Sequence, residues 1–282
     1  MTEKVIELLR KATVELDAAG IESARLDSEI LLAHVLNCRR LYLYVDTDKK
    51  VSPAQVTRYE NLIERRIKKI PVAYLIGQRE FFGMNFAVTP EVLIPRPDTE
   101  ILVQVAIEKL SNFDNPSFLD IGTGSGAICI SILKHVKTAR AVTVDISEDA
   151  INCAKFNGEK FGVDDRITFH VGNLFEPLSG QKFHAIISNP PYIPTKDLST
   201  LQAEVQREPK IALDGGVDGL NFYRRIVNES PNFLFAGGFI AVEIGINQAV
   251  AVKNMLDENF VDVKIIRDLS NIERVVTADY AN

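Results

Sequence analysis

Residues 189–192 read Asn189-Pro190-Pro191-Tyr192 and follow the apolar run Phe183-His184-Ala185-Ile186-Ile187-Ser188, which reads as a buried strand. Two prolines lock two φ angles and remove two backbone donors. They leave rigid carbonyls at a strand's carboxyl end, the place where open α/β sheets bind ligands. Asn189 adds a side-chain acceptor and Tyr192 an aromatic ring. Such a loop can hold a planar amide or amine by its N–H groups and pack a ring against it. The residue types therefore point to chemistry on a nitrogen.

A second motif lies upstream. Phe118-Leu119-Asp120-Ile121 runs into the glycine-rich turn Gly122-Thr123-Gly124-Ser125-Gly126, and a helix follows. The spacing is GxGxG with an acid before it, not the GxGxxG of dinucleotide sites, where a helix N-terminus meets a pyrophosphate. Asp120 suits a cationic or amine-bearing ligand better. Asp145 ends the next strand, Val142-Thr143-Val144-Asp145, where an acid commonly accepts hydrogen bonds from ribose hydroxyls. Gly172-Asn173-Leu174 follows the third strand, so Asn173 could bond an adenine amine and Leu174 could pack on the ring. Taken alone, the glycine turn also fits a plain tight turn or a nicotinamide or flavin site. Taken with Asp145 and the Asn-Pro-Pro-Tyr loop, it fits S-adenosylmethionine, an adenosine with ribose hydroxyls, an α-amino group and no phosphate.

These motifs need a sheet to bring them together. From Ser117 onward, strands are expected at 117–121, 140–145, 166–171, 183–188 and 239–244, with two more near 262–267 and 273–278. Helices are expected at 126–136, 148–161, 219–230 and 247–259. Apolar strands alternating with helices imply an α/β fold with a mostly parallel sheet covered on both faces. The chain before it reads differently. Val5, Leu8, Leu9, Ala12 and Leu16 form one helical face, with Gly20 as C-cap. A second helix is expected at 24–38 with Leu26, Ile30, Ala33 and Leu36 inward. Ser52 and Pro53 start a further helix carrying Arg58, Arg65, Arg66, Lys68 and Lys69. That basic set reads as a solvated face or as a surface for an acidic or ribonucleoprotein partner. Short β-prone runs within 78–95 predict a hairpin linker, and 98–110 a helix. The expected organisation is a helical domain over 1–75, a linker over 76–97 and a catalytic domain over 98–282.

Composition narrows the function classes. The chain has 282 residues, 46% hydrophobic and 25% charged, enough for two globular domains. A net charge of −6 argues against a broad basic footprint on nucleic acid, so no stable nucleic-acid binding is expected. No apolar run approaches the roughly 18 residues of a membrane span. Glu3 and Glu7, with neither an apolar leader nor an Arg-rich transit pattern, read as cytoplasmic. Cys38, Cys129 and Cys153 form no CxxC pair, which reads as reduced thiols and no metal framework.

The motifs together resemble a known family. The Asp120 turn and the Asn-Pro-Pro-Tyr loop are similar to those of class I methyltransferases that modify planar nitrogens. Further segments narrow this: Pro71-Val72-Ala73-Tyr74-Leu75-Ile76-Gly77, Arg79-Glu80-Phe81-Phe82-Gly83, Ile94-Pro95-Arg96-Pro97-Asp98-Thr99-Glu100 and Ala212-Leu213-Asp214-Gly215-Gly216. The chain thus resembles the release-factor glutamine N5-methyltransferases, also called HemK or PrmC, over nearly its whole length. The resemblance implies a class I S-adenosylmethionine-dependent fold with a seven-stranded sheet and a helical substrate-recognition domain. It implies as substrate the glutamine of the Gly-Gly-Gln motif in class-1 peptide chain release factors. It places S-adenosylmethionine on Asp120, on Gly122, Thr123, Gly124, Ser125 and Gly126, on Asp145 and at Asn189. It places the glutamine on Asn189, Pro190, Pro191 and Tyr192. Asn173 departs from the pattern, which more often carries Asp there.

A glutamine amide nitrogen is a poor nucleophile because its lone pair is delocalised. Acceptors at Asn189 Oδ1 and the Pro190 carbonyl would orient its N–H groups and stabilise charge developing on nitrogen. No strong base is required. His170 and His184 fall within strand patterns and read as packed or surface residues. Phe82 walls the pocket or packs in the core, and Arg96 pairs with an acid to hold the linker or else contacts substrate. The Asn-Pro-Pro-Tyr loop is shared with adenine-N6 nucleic-acid methyltransferases, which remains the alternative.

Overall fold

The alternating pattern after Ser117 forms one seven-stranded sheet in the computed structural model, which describes residues 3–281; the expected outer domain bounds, 1 and 282, lie outside them. The described chain falls into two compact units. One comprises residues up to Gln78 together with Gln202–Arg207, and the other Arg79–Leu201 with Glu208 onward.

The first unit holds two-residue strands β1 (Glu3–Lys4) and β2 (Lys50–Val51) and helices α1 (Val5–Ala18), α2 (Ala24–Leu36), α3 (Tyr42–Val45), α4 (Pro53–Ile67) and α5 (Val72–Ile76). The α1 face is buried as its periodicity predicts. Helix α4 starts with Ser52 and Gln55 in a reciprocal capping box. Helix α2 departs from expectation. Ala33 is buried and Leu36 packs against the core as expected, but Leu26 is 43% exposed, and the inward face also carries Asp27, Ser28, Leu31, Leu32 and Val35. The face is rotated because Asp27 and Ser28, though polar, are paired inside. Arg66, 1% exposed, donates to Asp27 at 2.7 Å and also pairs with Glu204. Arg66 therefore belongs to neither reading of a basic surface, and Lys68 and Lys69 lie beyond the end of α4.

The second unit contains, but for Gln78, the hairpin β3 (Gln78–Phe81) and β4 (Met84–Ala87), then α6 (Glu100–Leu110), β5 (Ser117–Ile121), α7 (Ala127–His135), β6 (Arg140–Asp145) and α8 (Glu148–Phe161). There follow β7 (Ile167–Val171), β8 (Phe183–Ser188), α9 (Asn221–Glu229), β9 (Leu234–Glu243), α10 (Ala249–Leu256), β10 (Val261–Arg267) and β11 (Glu273–Asp279). Strand order is β10-β11-β9-β8-β5-β6-β7. Strands β7, β6, β5, β8 and β9 run parallel, and β11 is antiparallel to both β9 and β10. Strand β9 starts earlier than expected because the chain continues through Gly237, at φ +74°, and Gly238, with a register irregularity against β8. Apolar clusters cover both faces of the sheet.

The hairpin does more than link. Phe81 and Phe86 are fully buried in one of those clusters. The buried Asn157 takes the Ala87 N–H at 2.8 Å and donates to the Ala87 and Ser125 carbonyls at 2.9 Å. One side chain thus ties the hairpin to the glycine turn. No helix of the described residues is long and apolar enough to cross a membrane, and all three cysteines are free.

Candidate active site

The chain order of the sheet reverses at β5, whose two parallel neighbours are β6 and β8. Ligands bind at such a switch point, outside the carboxyl ends of the strands. Ile121 pairs in register with Ser188, so the glycine turn and the Asn-Pro-Pro-Tyr loop leave adjacent strand ends. Ser188 Oγ donates to the Ile121 carbonyl at 2.8 Å and locks that junction across 67 residues of sequence.

The turn is held from below. Gly122 N–H donates to the Val144 carbonyl at 2.8 Å, and Gly124 N–H to Asp145 Oδ2 at 2.9 Å. Gly126 has φ +79°, and a Cβ there would lie 2.9 Å from Ile130 and 3.2 Å from Ala154, so only glycine lets α7 pack against α8. Asp120 is wholly buried and accepts from Thr123 Oγ1 at 2.9 Å, while its Oδ1 has no hydrogen-bond partner among the described residues. Burial, with Asp145 nearby, pushes its carboxyl up to about 7. Burial also raises the Asp145 carboxyl, which the Ser147 and Gly124 amides counteract.

A cavity of about 230 Å³ opens over these strand ends. Gly122, Gly124, Asp145, Asn173, Leu174, Asn189, Pro190 and Pro191 line it, whereas Asp120, Thr123, Ser125, Gly126 and Tyr192 do not, and Tyr192 packs against the core. Sequence reading missed Val92, Ile146, Ala212, Phe222 and Arg225 on its wall. Asn173 is already engaged: its Oδ1 accepts from Arg225 at 3.2 Å and its Nδ2 donates to Glu176 at 2.9 Å. Phe82 is not among the lining residues. It occupies the hairpin turn at φ +50°, with its ring edge-on to His135 at 5.1 Å. His184 sits near the start of β8, far from the cavity, with Nδ1 3.0 Å from the Ser117 amide. Arg96 pairs with Glu208, as expected of a structural arginine.

The segment after Pro209 clamps the loop. Ile193 N–H donates to Leu213 O at 3.0 Å and Gly215 N–H to Ile193 O at 2.8 Å. Gln248 Nε2 donates to the Tyr192 carbonyl at 2.9 Å. Burial, with Glu243 adding to it, pushes the Tyr192 hydroxyl up to about 12, so it stays protonated at neutral pH. Asn189 Nδ2 donates to Thr99 Oγ1 at 3.2 Å.

Known proteins share this organisation. A PrmC N-terminal domain family model matches residues 7–77, and a methyltransferase small domain model matches residues 98–216. A release factor glutamine methyltransferase of Geobacter sulfurreducens is 46% identical over 259 residues, 91% of this chain and 90% of the relative. The chain belongs to the release factor glutamine methyltransferase family. A second member, from Clostridium acetobutylicum, is 40% identical over 98% of both chains. The crystal structure of a methyltransferase from Pyrococcus furiosus has a TM-score of 0.53 at 16% identity, covering 79% of this chain and all of that one, and shows the shared fold.

The cavity fits the cofactor such enzymes use. Beneath the turn, though not on the cavity wall, Asp120 keeps a buried carboxylate oxygen with no hydrogen-bond partner among the described residues, a group suited to a cation. A Cβ at Gly124 would meet nothing within 4 Å, so the turn leaves an open cradle. The wall is mostly apolar, as an adenine ring needs.

Proposed function

We propose that this chain transfers a methyl group from S-adenosylmethionine to the side-chain amide nitrogen, N5, of the glutamine in the Gly-Gly-Gln motif of class-1 peptide chain release factors. The observation that carries the reading is the Ile121–Ser188 register, which sets Asn189 beside the cradle of the glycine turn. S-adenosylmethionine supplies an electrophilic methyl on a sulfonium. Asp120 would offset the charge of the cofactor's amine, and Asp145 would accept from the ribose hydroxyls with the lone pairs its two amide contacts leave free. Leu174 would pack on the adenine ring, and Asn173 Oδ1 would have one lone pair left for the adenine amine.

The Asn189 side-chain oxygen and the Pro190 carbonyl hold the substrate amide by its two N–H groups. They would orient its nitrogen for transfer and stabilise the positive charge that develops there. Positioning of this kind can supply about 7–11 kcal/mol in favourable cases. Tyr192, protonated and pinned through its carbonyl, contributes its ring and not a base. The methylated nitrogen becomes acidic and gives its proton to water.

The helical first unit is read as the recognition module. Its exposed Leu41, Tyr42 and Val45 adjoin Arg39 and Arg40, an apolar and basic patch suited to a protein partner. The site of action is the cytoplasm, where release factors work.

The test is methyl transfer from labelled cofactor to purified release factor, to its Gln→Ala motif variant and to duplex DNA. Mass gain on the motif glutamine alone is expected. Labelling of DNA instead would assign the chain to the adenine-N6 class.

A further inference from the structure

Strand β9 ends at Glu243, which no motif singled out. Ser188 pairs with Val242, so Asn189 and Glu243 leave the sheet side by side. The Glu243 side chain is 3% exposed, and its Oε2 has no partner among the described residues. Thr99 and Asn189 neighbour this carboxylate, and both act to lower its proton affinity. Asn189 Nδ2 also donates to Thr99 Oγ1 at 3.2 Å. The Glu243 carbonyl accepts from Tyr223 O–H at 2.8 Å, which fixes the strand end.

An asparagine amide can be flipped at little intrinsic cost, so something must decide which end faces the substrate. A buried carboxylate accepts and cannot donate. Beside Asn189 it attracts Nδ2 and repels Oδ1. We infer that Glu243 is a positioning residue that, with Thr99, captures the Asn189 amide nitrogen and thereby turns Oδ1 toward the reacting nitrogen. The inference rests on the reading of Asn189 given above.

The device works only while Glu243 is ionised. As a neutral acid it could donate to Oδ1 and stabilise the flipped amide. Burial, opposed by Thr99, pushes its carboxyl up to about 7. Asp98 repels it and Arg274 attracts it. The Arg274 charge is divided, with Asp98 at 2.6 Å and Asp268 at 2.9 Å, so it is a diluted counterion. The Tyr192 and Tyr223 hydroxyls also feel this carboxylate, and both stay neutral in this range because burial raises them. Transfer should therefore fall as pH drops through about 7.

The experiment pairs Glu243→Gln with Thr99→Val and Thr99→Ser in the full chain. The first readout is NMR of the Asn189 side-chain amide in protein labelled with ¹⁵N-asparagine, assigned by its loss in Asn189→Ala. In wild type the signal should titrate near pH 7, and in Glu243→Gln that titration should vanish. The second readout is kinetic. Glu243→Gln should lower kcat by about 10- to 100-fold, the scale of lost orientation at a reacting centre. It should leave S-adenosylhomocysteine affinity within about two-fold, because no cofactor contact is removed. Thr99→Val should lose activity, and Thr99→Ser should recover it. An Asn189 signal with the same position and titration in wild type and Glu243→Gln would overturn the inference. Equal behaviour of the two Thr99 variants would do so as well if Glu243→Gln does not fold. Because the NMR readout needs no substrate, a wild-type enzyme inactive on glutamine would unseat the proposed substrate without deciding the role of Glu243.

Discussion

Gly215 and Tyr192 are in backbone contact: a Cβ on Gly215 would lie 2.7 Å from Tyr192 Cα and 2.8 Å from the Pro191 carbonyl oxygen. These distances are shorter than any side chain tolerates, and the atoms approached are backbone. The segment Ala212-Leu213-Asp214-Gly215-Gly216 is thus the outer wall against which the Asn-Pro-Pro-Tyr loop is cast.

Gly215→Ala should push that loop toward the cavity. Overpacking of this kind costs about 1–3 kcal/mol of stability, and a displacement near 1 Å can cost about 100-fold in rate. We expect a folded protein with kcat reduced at least about 10-fold and a small change in cofactor Kd. Calorimetric binding together with a transfer assay separates the two effects. Unchanged kcat would remove the clamp from the account.

Asn189→Ala removes the substrate acceptor but not the cradle. Transfer should fall by about 100- to 1,000-fold, as for loss of one oriented group at a reacting centre. S-adenosylhomocysteine binding, measured by calorimetry, should persist. Turnover at the wild-type rate would end the amide-orienting role.

Asp120 makes stability without cofactor pH-dependent. Its folded carboxyl lies near 7, raised first by burial from an ordinary value of 3.8. A raised carboxyl contributes stability that is present below the unfolded value and lost as pH rises toward the folded one. The loss is bounded by the shift, up to about 4 kcal/mol between pH 4 and pH 8. Asp120→Asn should therefore flatten the fall of Tm over that range and raise Tm at pH 8. It should also weaken S-adenosylmethionine binding, because the cation loses its counter-charge. Parallel Tm profiles for variant and wild type would contradict this.

Arg66 tests the buried pair in the helical unit. Arg66→Ala leaves Asp27 buried without its partner, which typically costs about 3–5 kcal/mol. Glu204, exposed over 39% of its side chain, should matter less, and Glu204→Gln should cost at most about 1 kcal/mol. Urea unfolding of the full chain, followed at the first transition, measures both. A reversed order would mean that the returning segment Gln202–Arg207 holds the unit more firmly than the Asp27 pair does.

The sequence by itself determined the elements and the motifs. Strands β5, β6, β7 and β8 were legible because strands buried on both faces read as apolar runs, and Gly122 to Gly126 could be placed because a strand-to-helix turn needs glycines. The cofactor class followed from local chemistry, an acid at Asp120 and another at the next strand end, Asp145. The tertiary structure alone decided which polar residues go inside. Asp27 and Arg66 look like surface residues until their partner is known, and that misplaced Leu26. It alone decided that Phe82 turns to His135 and that Asn157 ties Ser125 to Ala87. It also set Glu243 beside Asn189, through a register between strands far apart in the chain. Local pattern encodes φ, ψ and hydrophobic period, whereas these pairings depend on which strand lies next to which, and no single segment carries that information.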